Sequence, residues 1–162
     1  MSATAIATMR AIQLVEWEQP AALREVPILE PGPGEVLLEV RAAGLCHSDL
    51  HLMEWPEGTL PYTLPFTLGH EVAGVVAALG AGATGVEIGD CVLVYGPWGC
   101  GCCPPCSRGE EHLCQRGRRR AGGCGLGRNG GLADYVVVPS PRLLVTRSPP
   151  CSRASAAARE SA

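Results

Sequence analysis

Glycine and proline interrupt this chain so often that no long regular element can form. Its 162 residues include 21 glycines and 14 prolines. Proline fixes one backbone angle and removes a donor, while glycine admits the turn conformations that other residues avoid. Between these breaks lie short apolar runs. Residues 9–16, MRAIQLVE, roughly alternate, and Leu23–Val26 is a second run closed by Pro27. The turn PGPGE at 31–35 feeds the longer run EVLLEVRAAGL. Val72–Leu79, Cys91–Tyr95, Tyr135–Val138 and Leu143–Val145 read as further strands, each bounded by Gly, Pro or Asp. Only His47–Met53 and Cys106–Cys114 read as brief helical turns. This pattern predicts a mainly β domain, a barrel or a sandwich. Hydrophobic residues make up 46% of the chain but aromatics only 4%, so the core must be built from Val, Leu, Ile and Ala.

The texture changes after Val145. TRSPPCSRASAAARESA contains no Val, Leu, Ile or aromatic residue, so residues 146–162 are expected to form a disordered tail. Residues 1–8, before the first patterned segment at Met9, read as a loose extension. A net charge of −3 and a pI near 5.8 argue against a nucleic-acid or anionic-membrane partner. The one basic run, Arg116 and Arg118–Arg120, is short and Gly-flanked and reads as a solvated loop. No window approaches eighteen apolar residues, so no membrane-spanning helix is expected. The start, MSATAIATMRAIQLVEW, lacks the basic and long apolar regions of a secretory signal, which points to the cytoplasm. In that reducing compartment nine cysteines do not read as disulfides, and an odd number cannot all pair within one chain.

Five of those cysteines lie in the sixteen residues Gly99–Cys114, GCGCCPPCSRGEEHLC. Cys100, Cys103, Cys106 and Cys114 are spaced C-x2-C-x2-C-x7-C, with Cys102 to spare. Zinc takes four soft ligands in a tetrahedron, and short spacers let one loop wrap the ion. A bacterial iron–sulfur run begins in the same way but continues with x3-C-Pro, whereas here seven residues intervene. The spacing therefore predicts structural zinc, because four thiolates leave no open coordination position.

Two further stretches carry chemistry. AAGLCHSDLH places Cys46, Ser48, Asp49 and His51 at the end of one strand. TLGHEVAGVVAALGAGA places His70 and Glu71 at the start of another. Cys and His at two strand ends can converge on one ion, with a carboxylate near enough to fix the imidazole. Taken singly, each also has a plain structural reading, a small buried thiol or a histidine bonded to backbone. His47 and His112 read as structural, and Cys91, Cys124 and Cys151 have no partner spacing.

These motifs together resemble the zinc-containing medium-chain alcohol dehydrogenases. Gly69-His70-Glu71-x2-Gly74-x5-Gly80-x2-Ala83 is similar to the family's zinc signature. The four-cysteine lobe is similar to its structural zinc loop, and AAGLCHSD to the stretch holding its first catalytic ligand. EIGDCVLVYGPWGCG resembles the approach to that lobe in bacterial NAD(P)-dependent alcohol dehydrogenases. The resemblance implies a GroES-like, partly open β-barrel over residues 9–145 with a Cys-rich zinc lobe at 96–115. It implies Cys46 and His70 as catalytic zinc ligands, Asp49 as the acceptor that orients His70, and Glu71 beside the metal. Ser48 would touch a substrate hydroxyl and His51 would pass its proton outward. The implied reaction is oxidation of a small alcohol to an aldehyde or ketone, with hydride passing to NAD(P).

The chain departs from the family in two ways. The third catalytic ligand should follow the last strand, where the Ser/Ala/Pro tail begins; Cys151 and Glu160 could stand in by type only. No G-x-G-x-x-G follows a strand and opens a helix, and GGCGLGRNGG at 122–131 reads as a loop. The chain is therefore expected to be truncated before a Rossmann nucleotide-binding domain. The alternative reading is a non-catalytic, zinc-stabilised GroES-like binding module. Homo-oligomers in the family form largely through the absent domain, so the resemblance leaves a homo-oligomer open.

Overall fold

Two antiparallel sheets, bridged by residues 132–134, set the strand ends at which the Cys46 and His70 motifs stand. The computed structural model describes residues 7–116 and 122–146. The first six residues of the expected extension, Arg118–Arg120 and the tail beyond Thr146 lie outside the described residues. The strands are β1 (Thr8–Leu14), β2 (Ala22–Pro27), β3 (Val36–Gly44), β4 (Phe66–Thr67), β5 (Glu71–Leu79), β6 (Cys91–Val94), β7 (Gly123–Cys124), β8 (Gly127–Arg128), β9 (Tyr135–Val138) and β10 (Leu144–Thr146). Helices α1 (His47–Glu54) and α2 (Pro104–Ser107) are short, and single 3-10 turns cover Glu111–Leu113 and Pro141–Leu143.

The larger sheet has the order β10-β6-β5-β3-β9, and the smaller β2-β1-β4. Alternation decides which faces turn inward. Val36 and Leu38 on β3, Val72 and Val76 on β5, Val92 on β6, and Val136 and Val138 on β9 share one core. Burying each such side chain contributes about 1.5–3 kcal/mol. A second core gathers Leu14, Leu52, Phe66 and Leu68 under α1. Residues 132–134 tie the sheets together: Ile12 N–H donates to Leu132 O at 2.8 Å, and Val40 N–H donates to Asp134 O at 2.9 Å. The mainly β class expected from the pattern of short strands is observed, and of the two architectures that pattern allowed it is the partly open barrel that the resemblance implied.

The pairing of β3 with β5 does most to build the site. Its register runs from Val36 opposite Leu79 to Gly44 opposite Glu71, with irregularities at Leu37/Leu38 and Val40/Ala42. Because Gly44 faces Glu71, the residues just beyond those two ends, Cys46 and His70, emerge side by side.

Three local expectations need correction. The stretch at 122–131, expected to be a loop, carries the parallel pair β7 and β8. Strands of two residues fall below any detectable sequence period. The single helical turn expected over Cys106–Cys114 is two turns, α2 and the 3-10 turn, separated at Gly109, whose φ of 79° suits glycine and breaks the helix. β10 begins after a 3-10 turn and extends to Thr146, the first residue assigned to the tail.

Candidate metal centres

The first centre is the Cys-rich lobe. One ligand atom from each of Cys100, Cys103, Cys106 and Cys114 lies within 4.8 Å of the others. Cys103 is the N-cap of α2, and Pro104 at its first position is prearranged for helical backbone. That single turn brings Cys106 back beside Cys103, with the two sulfurs 3.4 Å apart. The 3-10 turn then returns Cys114, whose sulfur accepts the Cys100 N–H at 3.3 Å. Backbone N–H groups of Cys102 and Cys103 favour the Cys100 thiolate and lower its pKa to about 6. Burial instead pushes the Cys106 thiol up. Gly99 keeps the approach clear, since a Cβ there would run into Cys106 Sγ and the Glu111 side chain. Four clustered thiols, three of them buried, are a donor set that fits zinc. Arg142 fastens the lobe to the barrel by donating to Cys106 O at 3.3 Å.

The second centre lies where the ends of β3 and β5 meet. Donor atoms of Cys46, His70 and Glu71 fall within 4.8 Å of one another. Cys46 is the N-cap of α1, and Asp49 in the first turn accepts the Cys46 N–H at 2.9 Å. The other Asp49 oxygen accepts Gly69 N–H at 3.3 Å and lies 3.6 Å from His70 Nδ1. One fully buried carboxylate thus holds the backbone before both donors. The buried His70 Nδ1 has no hydrogen-bond partner, which leaves the imidazole free to serve Asp49 or an ion. Ser48 Oγ lies 3.5 Å from Cys46 Sγ, and this contact holds the Cys46 thiol below its ordinary pKa. Glu71 is exposed, and its side chain crosses Gly44, where a Cβ would meet the carboxylate. One thiol, one imidazole and one carboxylate match the mixed donor sets of open zinc sites.

A cavity of about 540 Å³ opens between the two centres, bordered by Ser48, Tyr62, His70, Trp98, Glu111 and Leu126. The structure therefore gathers Cys46, Ser48, Asp49, His70 and Glu71 in one place, while His51 points away on the exposed face of α1. Sequence reasoning missed Tyr62, Trp98 and Glu111. Glu111 is a buried carboxylate 3.8 Å from Arg142, and the only signal for it was its place inside the cysteine spacing. His112, expected to be structural, bonds to Tyr95 Oη at 3.1 Å and also borders the cavity.

The class of fold these features define is a mainly β, partly open barrel that carries a four-thiol lobe and a mixed Cys/His/Glu donor set. Residues 32–148 match the family described as alcohol dehydrogenase GroES-like domain, and the chain belongs to it. It is 41% identical over 143 residues to the NAD-dependent alcohol dehydrogenase of Sulfurisphaera tokodaii, covering 84% of this chain and 40% of that protein. It is also 41% identical over 133 residues to the L-threonine 3-dehydrogenase of Pyrococcus furiosus, covering 82% of this chain and 37% of that one. Among solved structures it resembles a cobalt- and zinc-bound thermostable alcohol dehydrogenase from Pyrobaculum aerophilum. That match has a TM-score of 0.74 at 35% identity and covers 88% of this chain and 42% of the other. The chain spans about two fifths of the length of these relatives. Among the described residues no helix is long and apolar enough to cross a membrane.

Proposed function

We propose that this chain is the metal-bearing catalytic domain of a zinc-dependent, NAD(P)-linked alcohol dehydrogenase, which oxidises a small alcohol to an aldehyde or ketone. The observation that carries this reading is the convergence of Cys46, His70 and Glu71 beside a cavity that Ser48 borders. A domain kept only for structure would need the four-thiol lobe but not a second, open donor set. The relatives named above point to the same chemistry.

In this reading Cys100, Cys103, Cys106 and Cys114 hold a structural zinc, and Cys46, His70 and Glu71 are the groups available to a catalytic one. Zinc bound there supplies Lewis acidity, which lowers the pKa of a neighbouring hydroxyl group. The residues do the rest. Asp49 fixes the orientation of His70 and the start of α1. Ser48 presents its hydroxyl at the cavity wall, where it accepts a hydrogen bond from a substrate alcohol. His51, exposed three residues further along α1, takes a proton to solvent. Tyr62, Trp98 and Leu126 offer apolar surface to the carbon skeleton of the substrate. A nicotinamide, when bound, would supply the hydride acceptor. The cytoplasm suits a chain in which none of the eight cysteines among the described residues forms a disulfide.

Replacing zinc with cobalt tests the assignment without turnover. Two cobalt ions per chain are expected, one with the intense thiolate bands of a four-sulfur site and one with weaker, mixed-donor bands. His70→Ala should remove only the second set and Cys103→Ser only the first. Trifluoroethanol, an alcohol that cannot readily be oxidised, should perturb the mixed-donor bands alone. Bound iron, or a single four-sulfur spectrum unchanged by His70→Ala, would overturn the catalytic reading.

A further inference from the structure

Cys102 belongs to neither donor set, yet it stands against the four-thiol lobe. It is exposed, as is Cys100, whereas Cys103, Cys106 and Cys114 are buried. Cys102 Sγ lies 3.7 Å from Cys100 Sγ, closer than Cys106 Sγ at 4.0 Å, although Cys106 shares the cage with Cys100. Gly101 permits this approach, since its φ of 74° folds the backbone between the two cysteines. The Arg116 guanidinium donates to Cys102 Sγ at 3.4 Å. A cation in contact with an exposed sulfur favours its attack on an electrophile, because negative charge sits on that sulfur as it reacts. Solvent thus meets a sulfur that the cage does not need, in contact with one that it does.

We propose that Cys100 and Cys102 form an oxidant-sensitive dithiol, in which hydrogen peroxide joins the two sulfurs as a disulfide and so takes one ligand from the lobe. Cys102 Sγ attacks one peroxide oxygen and the O–O bond breaks. The thiol becomes a sulfenic acid, and its proton leaves in the first water. Cys100 Sγ then attacks the Cys102 sulfur, the S–O bond breaks, and hydroxide departs with a solvent proton as the second water. The two sulfurs lose two electrons, and the peroxide gains them. A sulfur held in a disulfide is a poor donor, because the thiolate is the ligand form. Cys103, Cys106 and Cys114 remain, one short of the closed tetrahedral set that structural zinc takes. The ion leaves, and the lobe loosens together with Glu111, His112 and Cys114, which border the cavity. Oxidation at the surface therefore disables the site without touching Cys46 or His70. The zinc release rests on the structural zinc proposed above; the disulfide rests on the two exposed sulfurs alone.

The full chain, loaded with zinc, is treated with hydrogen peroxide while a chromogenic chelator records the zinc set free. Alkylation and tandem mass spectrometry then assign the state of each cysteine, which needs neither substrate nor nucleotide. A disulfide between Cys100 and Cys102 is expected, formed in step with release of the lobe's zinc. Dithiothreitol with added zinc should restore both the thiols and the metal. Cys102→Ser lies at an exposed position outside the cage, so it should fold and hold the lobe's zinc before oxidation. That variant should lose the part of the peroxide-driven release that accompanies the disulfide. The proposal fails if Cys102→Ser releases as much zinc as the parent, if peroxide joins Cys103 to Cys106 instead, or if Cys102 is oxidised without bonding to Cys100. A parent chain that forms the disulfide but held no zinc in the lobe beforehand would keep the dithiol and overturn the structural-zinc reading.

Discussion

Asp49 is fully buried and has both oxygens committed, one to the Cys46 N–H and the other to the Gly69 N–H beside His70. It is the hinge between two segments that are twenty residues apart in sequence, so its replacement should be felt at both. Asp49→Asn keeps the shape but turns an acceptor into a donor facing a backbone N–H. A loss of about 1–3 kcal/mol is expected in urea unfolding. Metal affinity at the Cys46 centre should fall about 10- to 100-fold, read by chelator competition, as for other partners of metal-ligating histidines. Cys124 gives a pH prediction. Burial pushes its thiol up from 9.0 to about 12, and its sulfur lies 3.7 Å from Gly69 O. The folded chain therefore holds this proton more tightly than the unfolded chain does. The stabilisation is complete below pH 9 and is lost as pH rises from 9 toward 12. Stability measured across that window should decline less steeply for Cys124→Ala than for the parent.

At the scale of elements, the site depends on how closely segments 67–70 and 123–132 approach each other. Gly69 has a φ of 91°, and a Cβ there would sit 2.8 Å from Leu132 N and 2.7 Å from Leu132 Cγ. Gly125 and Gly130 in turn press on the Gly69 backbone. Gly69→Ala thus combines strain at positive φ with a clash against backbone, and His70 is the next residue. It should destabilise by more than about 1 kcal/mol and weaken metal binding at the Cys46 centre while sparing the lobe. Both effects can be read from unfolding curves and cobalt spectra. α1 is fixed from below instead. Leu52, 1% exposed, docks the helix on the second core. Leu52→Ala should cost about 2–5 kcal/mol and loosen Cys46 and Ser48 together, seen as a lower urea midpoint.

At the scale of the whole molecule, the lobe gathers three buried thiols and is tied to the rest of the domain by Arg142 on Cys106 O and by the His112–Tyr95 bond. Among the described residues its buried cluster consists of those cysteines. A metal is therefore the main source of its stability, as in other thiolate-bound modules. Chelation with an excess of a strong zinc chelator should lower the melting temperature and expose the lobe to proteolysis between α2 and β7. The strands of the larger sheet should stay protected from hydrogen exchange. If chelation left the lobe resistant, the structural-zinc assignment would be wrong.

The amino-acid sequence by itself determined the mainly β class, seven of the strands and both donor sets as types and spacings. It could do so because those signals are local: alternation, Gly/Pro breaks and a C-x2-C-x2-C-x7-C run whose ligands lie within fifteen residues of one another. β4, β7 and β8 were beyond reach because two residues define no period, and β4 in addition pairs with the distant β1. The same reason hid Tyr62, Trp98 and Glu111, which become cavity residues only when three separate loops meet. Tertiary structure decided the geometry by which the Cys46 end of β3 meets the His70–Glu71 end of β5, since this follows from the register that sets Gly44 opposite Glu71. Register is a long-range choice: a slip of one residue would invert the faces of β3 and β5 and separate the donors. The sequence supplies the donors, and the pairing of two strand ends makes them a site.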